Sequence, residues 1–433
     1  MLSRFFRLNR PMAATRCIEP WYMAYALSGI TVTGVTPILL PLAVSYVGSA
    51  MDIGLVMAVM SLGGLLAPLW GRLADRYRLH RSLLVSGFVI TAVGLAVFPF
   101  THNRAVWLGL ALLQGLGASA ASTVANLFVV EAHPEAEWDE RIAWLRTFYD
   151  GGHVGGLLLA AWLSQVDLRL GMLAAASLTL VAAIVGWLTT STPPNPLTPK
   201  PTLLHPARHG EWARLSPQHL YHHAGLQVIR QLAPALQPPF GRFLLTWMVS
   251  LSGSSAFFAL YPVLAQEVFG IAPTLSSLTF ALAVSLRLVL YAPAGRWSHR
   301  FGPTRLLQGG LGVRLLAFVG IYALGLAPAQ HYSLLALLGF ALVILCWALL
   351  SVSSTVLTAH LSPDNEGEGM GLFNAITALA GVLGAALGGW LATQWGYHAT
   401  SGLAVASLTI GLSLSLTVRY GPWMQSNPSV SNG

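Results

Sequence analysis

Apolar residues run along this chain in blocks of about twenty, and polar positions crowd into the short gaps between them. Twelve blocks can be drawn, at 21–47, 53–73, 82–100, 106–130, 142–163 and 170–188, then 243–269, 275–294, 306–326, 333–357, 370–393 and 400–418. A helix rises about 1.5 Å per residue, so each block can cross the ~30 Å hydrocarbon core of a bilayer. Helices are the expected form, because a backbone in lipid must satisfy its own hydrogen bonds. The blocks are long and uninterrupted, which excludes a β-barrel of short alternating strands.

The gaps carry a second pattern. Residues 67–81, APLWGRLADRYRLHR, pass from an apolar block into a turn bearing Arg72, Asp75, Arg76, Arg78 and Arg81. Residues 288–305, LVLYAPAGRWSHRFGPTR, place Gly295, Arg296, Arg300 and Arg305 where the first copy has Gly71, Arg72, Arg76 and Arg81. Recurrence at half-chain spacing marks the second six blocks as a copy of the first. The expected fold is an all-α integral membrane protein with twelve transmembrane helices in two pseudo-symmetric six-helix bundles, residues 1–190 and 241–433. Residues 191–240, rich in proline and histidine, form the linker. Within it Ser216-Pro217 predicts a helix start, and Leu226, Ile229, Leu232 and Leu236 give that helix an apolar side to lay on the membrane surface. His219, His222 and His223 have no carboxylate or cysteine beside them and read as solvated rather than metal-binding.

Composition narrows the class. Of 433 residues, 55% are hydrophobic and 9% charged, against about 25% charged in soluble domains. The net charge of +8 lies in loops between apolar blocks instead of forming a stripe, so it speaks for topology and not for nucleic acid. Lys200 follows Leu-Thr-Pro, which excludes a P-loop. Cys17 and Cys346 have neither disulfide nor metal-ligand company, and no cofactor is expected. Block 21–47 is too long for a signal-peptide core and reads as a retained first span. Arg4, Arg7, Arg10 and Arg16 precede it, the linker and the start of the seventh span hold Lys200, Arg208, Arg214, Arg230 and Arg242, and the opposite loops offer Arg104 and Arg169. The positive-inside rule then places both termini and the linker in the cytoplasm, in an inner or plasma membrane.

These motifs resemble the major facilitator superfamily of secondary transporters, over essentially the whole chain. Gly71, Asp75 and Arg76 match its signature turn, with Arg78 where the family prefers glycine. The second copy keeps Gly295, Arg300 and Gly302, with His299 for the aspartate. Residues 112–118, LLQGLGA, resemble the helix-4 motif, with Ala111 in place of its arginine; residues 369–374, GMGLFN, and Gly388-Gly389 are typical of helix 11. The resemblance implies a monomeric transporter, not an enzyme, with a central cavity opening alternately to each side. It also implies that Asp75 accepts hydrogen bonds near Gly369 while Arg72 or Arg76 pairs with Glu131.

Ionisable groups inside spans cost roughly 2.5–3.5 kcal/mol each, which makes them functional candidates. Asp150 and His153 sit midway along the fifth span, Arg287 deep in the eighth and Arg314 near the middle of the ninth. Arg146 and Asp150 are four apart, so an intrahelical pair is one expectation. The other joins Asp150 to Arg287 as a gate, since both stand roughly 12–14 Å above the basic helix ends and the resemblance sets spans 5 and 8 side by side. In that gate the pair forms in one conformation and separates in the other, with His153 sharing a proton. Tyr25, Thr33, Gln114, Ser254, Phe257, Tyr261, Trp347 and Asn374 are the candidate substrate contacts. Aromatics with sparse hydrogen-bonding groups suit an amphiphilic small molecule better than a polyol. The expected activity is proton-coupled efflux of a hydrophobic or amphiphilic compound across the lipid bilayer. A proton-coupled importer of a sugar or other metabolite, or a non-transporting receptor or scaffold, is the alternative. A membrane hydrolase would need His-Glu-x-x-His or Gly-x-Ser-x-Gly, and neither occurs.

Overall fold

The apolar blocks become helices that bury one face on each other and leave the other for lipid. A computed structural model describes residues 18–133, 137–190, 239–327, 332–361 and 366–417. The linker, with the helix expected from Ser216 and its three histidines, lies outside the described residues. In chain order the helices are α1 (Tyr22–Ser45), α2 (Ala50–Gly71, continued by Ala67–Tyr77), α3 (His80–Phe100), α4 (Arg104–Ala132), α5 (Trp138–Val166) and α6 (Leu168–Thr189). The second six are α7 (Phe240–Phe269), α8 (Pro273–Phe301), α9 (Pro303–Leu326), α10 (Ser333–Leu361), α11 (Glu366–Trp395) and α12 (His398–Thr417). Eleven are long and apolar enough to cross a membrane. The exception is α5, helical over 29 residues but interrupted by Arg146, Asp150, His153 and four glycines. Leu188, Leu316, Leu334 and Val289, on four different helices, are each more than 70% exposed, as apolar side chains facing lipid would be.

Polar side chains cap three of the helices, α2, α4 and α6. Ser49 and Asp52 form a capping box, in which the Asp52 carboxylate accepts from the Ser49 N–H at 2.8 Å. Asn103 and Asp167 cap α4 and α6. The Asp52 carboxylate also meets Arg104 Nε at 2.9 Å, tying the start of α2 to the start of α4.

The two halves repeat one packing device. On α5, Gly152 and Gly156 face α1, where an added Cβ would lie 2.0 Å from the Ala26 carbonyl oxygen and 2.1 Å from that of Ile30. On α11, Gly384 and Gly388 face α7, at 2.1 Å from the Ser252 oxygen and 2.8 Å from that of Ala256. Glycines four apart let helix backbones touch within each half. Against α5, α1 takes a π turn over Ile30–Val35, which no sequence pattern announced.

The basic turns differ by one residue. The turn after α2 ends on Arg78 at φ 52°, the only non-glycine residue with positive φ among those described. In the second copy the corresponding place is Gly302, at φ 86°. Arg78 thus adopts, at a cost, the conformation that its glycine counterpart takes freely.

Candidate functional site

The halves meet along α2–α11, α5–α8 and the second part of α1 against α7. Call the end bearing the Arg72–Arg81 turn the basic end. At the opposite end the helices touch. A Cβ on Gly54 of α2 would sit 2.5 Å from the Ala385 oxygen and 2.6 Å from Gly389 Cα of α11. At the same end of the molecule, Gln165 Nε2 donates to Thr274 Oγ1 at 3.0 Å, joining α5 to α8. At mid-depth contact loosens to 2.9 Å between a Cβ on Gly64 and Ala378, and to 3.3 Å between one on Gly381 and Ser61 Oγ. At the basic end a Cβ on Gly71 would find its nearest neighbour, Thr123, at 4.0 Å, and one on Gly371 nothing within 4 Å.

The space so opened is a cavity of about 950 Å³. The first half supplies most of its wall: Tyr25 and Thr36 from α1, Met60, Ser61 and Gly64 from α2, Thr91 from α3, Arg146 and Tyr149 from α5. From α4 come Gln114, Ser119, Ser122, Thr123 and Asn126. The second half contributes α11 alone, through Met370, Asn374, Thr377, Ala378 and Gly381. Most lining hydroxyls are spent on their own helices: Thr91 donates to the Gly87 oxygen at 2.9 Å and Thr123 to the Ser119 oxygen at 2.8 Å. Four polar atoms at the deep end are buried without partners, namely Thr36 Oγ1, Ser119 Oγ and both amide atoms of Gln114. Gly94 of α3 makes room for Gln114, because a Cβ there would lie 2.6 Å from its Cγ.

Of the expected substrate contacts, Tyr25, Gln114 and Asn374 line this cavity. Thr33 instead donates to the Gly29 oxygen at 2.9 Å, and Ser254 to the Ser250 oxygen at 3.3 Å. Phe257 lies in the core among Phe258, Phe318 and Phe340; Tyr261 donates to the Ser276 oxygen at 3.0 Å; Trp347 packs on Trp247. Sequence reasoning spread the contacts over both halves because composition does not say which face of a helix is inward. It passed over Ser119, Ser122 and Thr123, although with Asn126 their spacing of three and four draws a polar stripe down α4.

The charged candidates gather beside the cavity. Asp150 is within electrostatic reach of Arg287 and Arg146, yet among the described residues it forms an ion pair with neither. His153 packs edge-on against Phe280 of α8 with centroids 5.9 Å apart, and its Nε2 and Arg287 Nε are unpartnered. Arg314 is buried away from them, within the second half. The side chains of Arg72, Asp75, Arg76 and Glu131 lie outside the described residues. Two basic residues at that end have structural partners. Arg81 donates to the Trp187 carbonyl and lies over its ring at 4.0 Å, fastening α3 to α6. Arg141 is buried between Glu19 at 2.8 Å and Glu137 at 2.9 Å.

Comparison with known proteins places this geometry. The sequence model of the Major Facilitator Superfamily matches residues 21–350 and 242–429. The chain is 28% identical over 330 residues to the multidrug resistance protein MdtH of Cronobacter sakazakii, covering 74% of this chain and 72% of that protein. Among solved structures, a bacterial homolog of the human lysosomal transporter Spinster, inward-facing and occupied, superposes with TM-score 0.70 at 15% identity, over 95% of this chain and 99% of that one. The nucleoside transporter NupG, as its D323A mutant, gives TM-score 0.69 at 12% identity, over 93% and 98%.

Proposed function

The chain belongs to the Major Facilitator Superfamily, and from that premise we propose that it is a proton-coupled exporter of hydrophobic or amphiphilic organic compounds. The observation that carries this reading is the cavity between the halves, sealed by backbone contact at one end and open at the other. Arginine placement puts the basic end, both termini and the linker in the cytoplasm, so the cavity faces the side from which an exporter loads. The likeness to proteins named for multidrug resistance agrees with a cargo of this kind. Transport takes the form of alternating access, with substrate near the bilayer midplane between the repeats. Gln114, Thr36 and Ser119 offer hydrogen bonds at the deep end, and Tyr25 and Tyr149 offer aromatic surface nearer the mouth.

Coupling rests on α5 and α8. With the basic end open, Asp150 and Arg287 are near but unpaired. Closure of that end brings them together, so the protonation state of Asp150 is linked to conformation, with His153 beside it to share the proton. In proteoliposomes the protein should catalyse counterflow of a lipophilic fluorescent dye and respond to an imposed proton gradient. Absence of counterflow for every amphiphile in a broad panel would end the transporter reading. For the gate, the charge swap Asp150→Arg with Arg287→Asp should recover part of the transport that each single change abolishes. A double variant as inactive as the singles would instead favour the Arg146–Asp150 pair.

A further inference from the structure

Arg314 stands at the midpoint of α9 and is 2% exposed. A guanidinium carries five N–H donors, yet among the described residues this one makes no hydrogen bond and no ion pair. Its surroundings are aromatic: the centroids of Phe258, Phe318 and Trp347 lie 5.8, 6.0 and 5.7 Å from its Cζ. Such contacts offset only part of the cost of a cation at membrane depth. The one ionisable group in electrostatic reach is the Cys346 thiol, not a carboxylate.

Beside the guanidinium is a void of about 10 Å³, bordered by Arg314, Ser250, Ser254, Trp247, Trp347 and four leucines. That is room for one water-sized atom. Ser250 Oγ is also buried without a partner, so two sets of unused donors border one small space. A guanidinium that can only donate, beside a hydroxyl whose proton is free to be given, favours an anion. Trp247 links the void to the wall of the central cavity. Trp247 and Trp347 pack with centroids 6.0 Å apart, and Trp247 Nε1 donates at 2.9 Å to Thr377, which lines the cavity.

We propose that Arg314 and Ser250 form a binding site for a single anionic group, a halide ion or the carboxylate of an amphiphile, entered from the central cavity past Trp247 and Trp347. The cargo role rests on the transporter reading; the site itself does not. The void as it stands has room for a single oxygen, and a halide or a whole carboxylate enters when the two indoles part. As a cargo site it narrows the class of compound carried to one with an apolar body and a negative head.

The test uses the purified full-length protein and its thermal unfolding midpoint. One arm titrates octanoate against octanamide, which has the same chain without the charge. The other titrates chloride against sulfate at constant ionic strength. The expected result is a saturable rise in midpoint with octanoate or chloride and none with octanamide. Arg314→Gln should abolish the rise, and Arg314→Lys should keep part of it. Should Arg314→Gln fail to fold, Ser250→Ala leaves the charge in place and should weaken the apparent affinity several-fold. A response to octanoate alone assigns the site to cargo, and one to chloride alone assigns it to an inorganic ion. No rise with either probe, or an equal rise in the Arg314 and Ser250 variants, overturns the site. Counterflow that persists without the anion response overturns this inference alone. An Arg314-dependent response without counterflow of any amphiphile removes the transporter reading and leaves the site.

Discussion

The two ends of the α2–α11 contact are built from the same residue type and do opposite things. At one end Gly54 and Gly389 let the backbones meet; at the other Gly71 and Gly371 face open space. The change occurs within a single helix. Between the two glycines of α2, the helix passes through a 3₁₀ turn at Gly63–Leu66 and restarts with Pro68 in the first turn of Ala67–Tyr77. A break there lets the basic third of α2 leave α11 while the rest stays in contact. Glycine at a helix interface is thus an allowance for contact and does not by itself say when contact is made. In the proposed cycle the pair at the basic end makes its contact when that end closes.

The largest effect is expected at the sealed end. Gly54→Leu places a side chain where its first carbon already clashes, and such overpacking costs about 1–3 kcal/mol. That cost falls on the sealed state alone, so substrate counterflow should fall by roughly tenfold or more, since each tenfold is about 1.4 kcal/mol. Unchanged counterflow would mean that the Gly54 contact is not part of the cycle. The same substitution at the basic end sharpens the contrast. Gly371→Leu meets no neighbour in this state, so unfolding should move by no more than about 0.5 kcal/mol while transport is lost. If both stability and transport survive, the basic end does not close on Gly371.

The deep end of the cavity gives an effect of opposite sign. Gln114 is buried with neither amide atom paired, a condition that costs about 1–3 kcal/mol. Gln114→Leu should therefore raise the unfolding free energy while weakening transport of any substrate that hydrogen-bonds there. A destabilised Gln114→Leu would show that the amide has a partner after all. The smallest expected effect lies in the basic turn. Arg78→Gly relieves a left-handed residue and should stabilise by about 1 kcal/mol, whereas Gly302→Ala in the second copy should destabilise by a similar amount. Equal responses at the two turns would contradict the conformational account.

Much of the architecture was legible because lipid imposes a single pattern on a spanning helix. Block 21–47 became Tyr22–Ser45, and block 306–326 became Pro303–Leu326. The helix α5 was legible for the same reason even though its own charges keep it below the apolarity of the others. The site was less legible, since inward and lipid-facing sides of a buried helix carry similar residues. Phe257 and Tyr261 look like a ligand shelf in the sequence and are core in the fold. The π turn at Ile30–Val35 had no signal beyond a glycine, because it answers to the partner helix α5. The glycine stripes announced close packing, but which neighbour each meets depended on the assembled bundle.

The central claim is that the sealed and open ends exchange. Spin labels at Tyr77 and Phe301, exposed at the basic end, and at Tyr46 and Leu275, exposed at the other, report both distances in a background free of native cysteine. On adding a transported substrate and altering the proton gradient, the account predicts that the first distance shortens as the second lengthens. Two distances that stay fixed, or that change in the same direction, would contradict it.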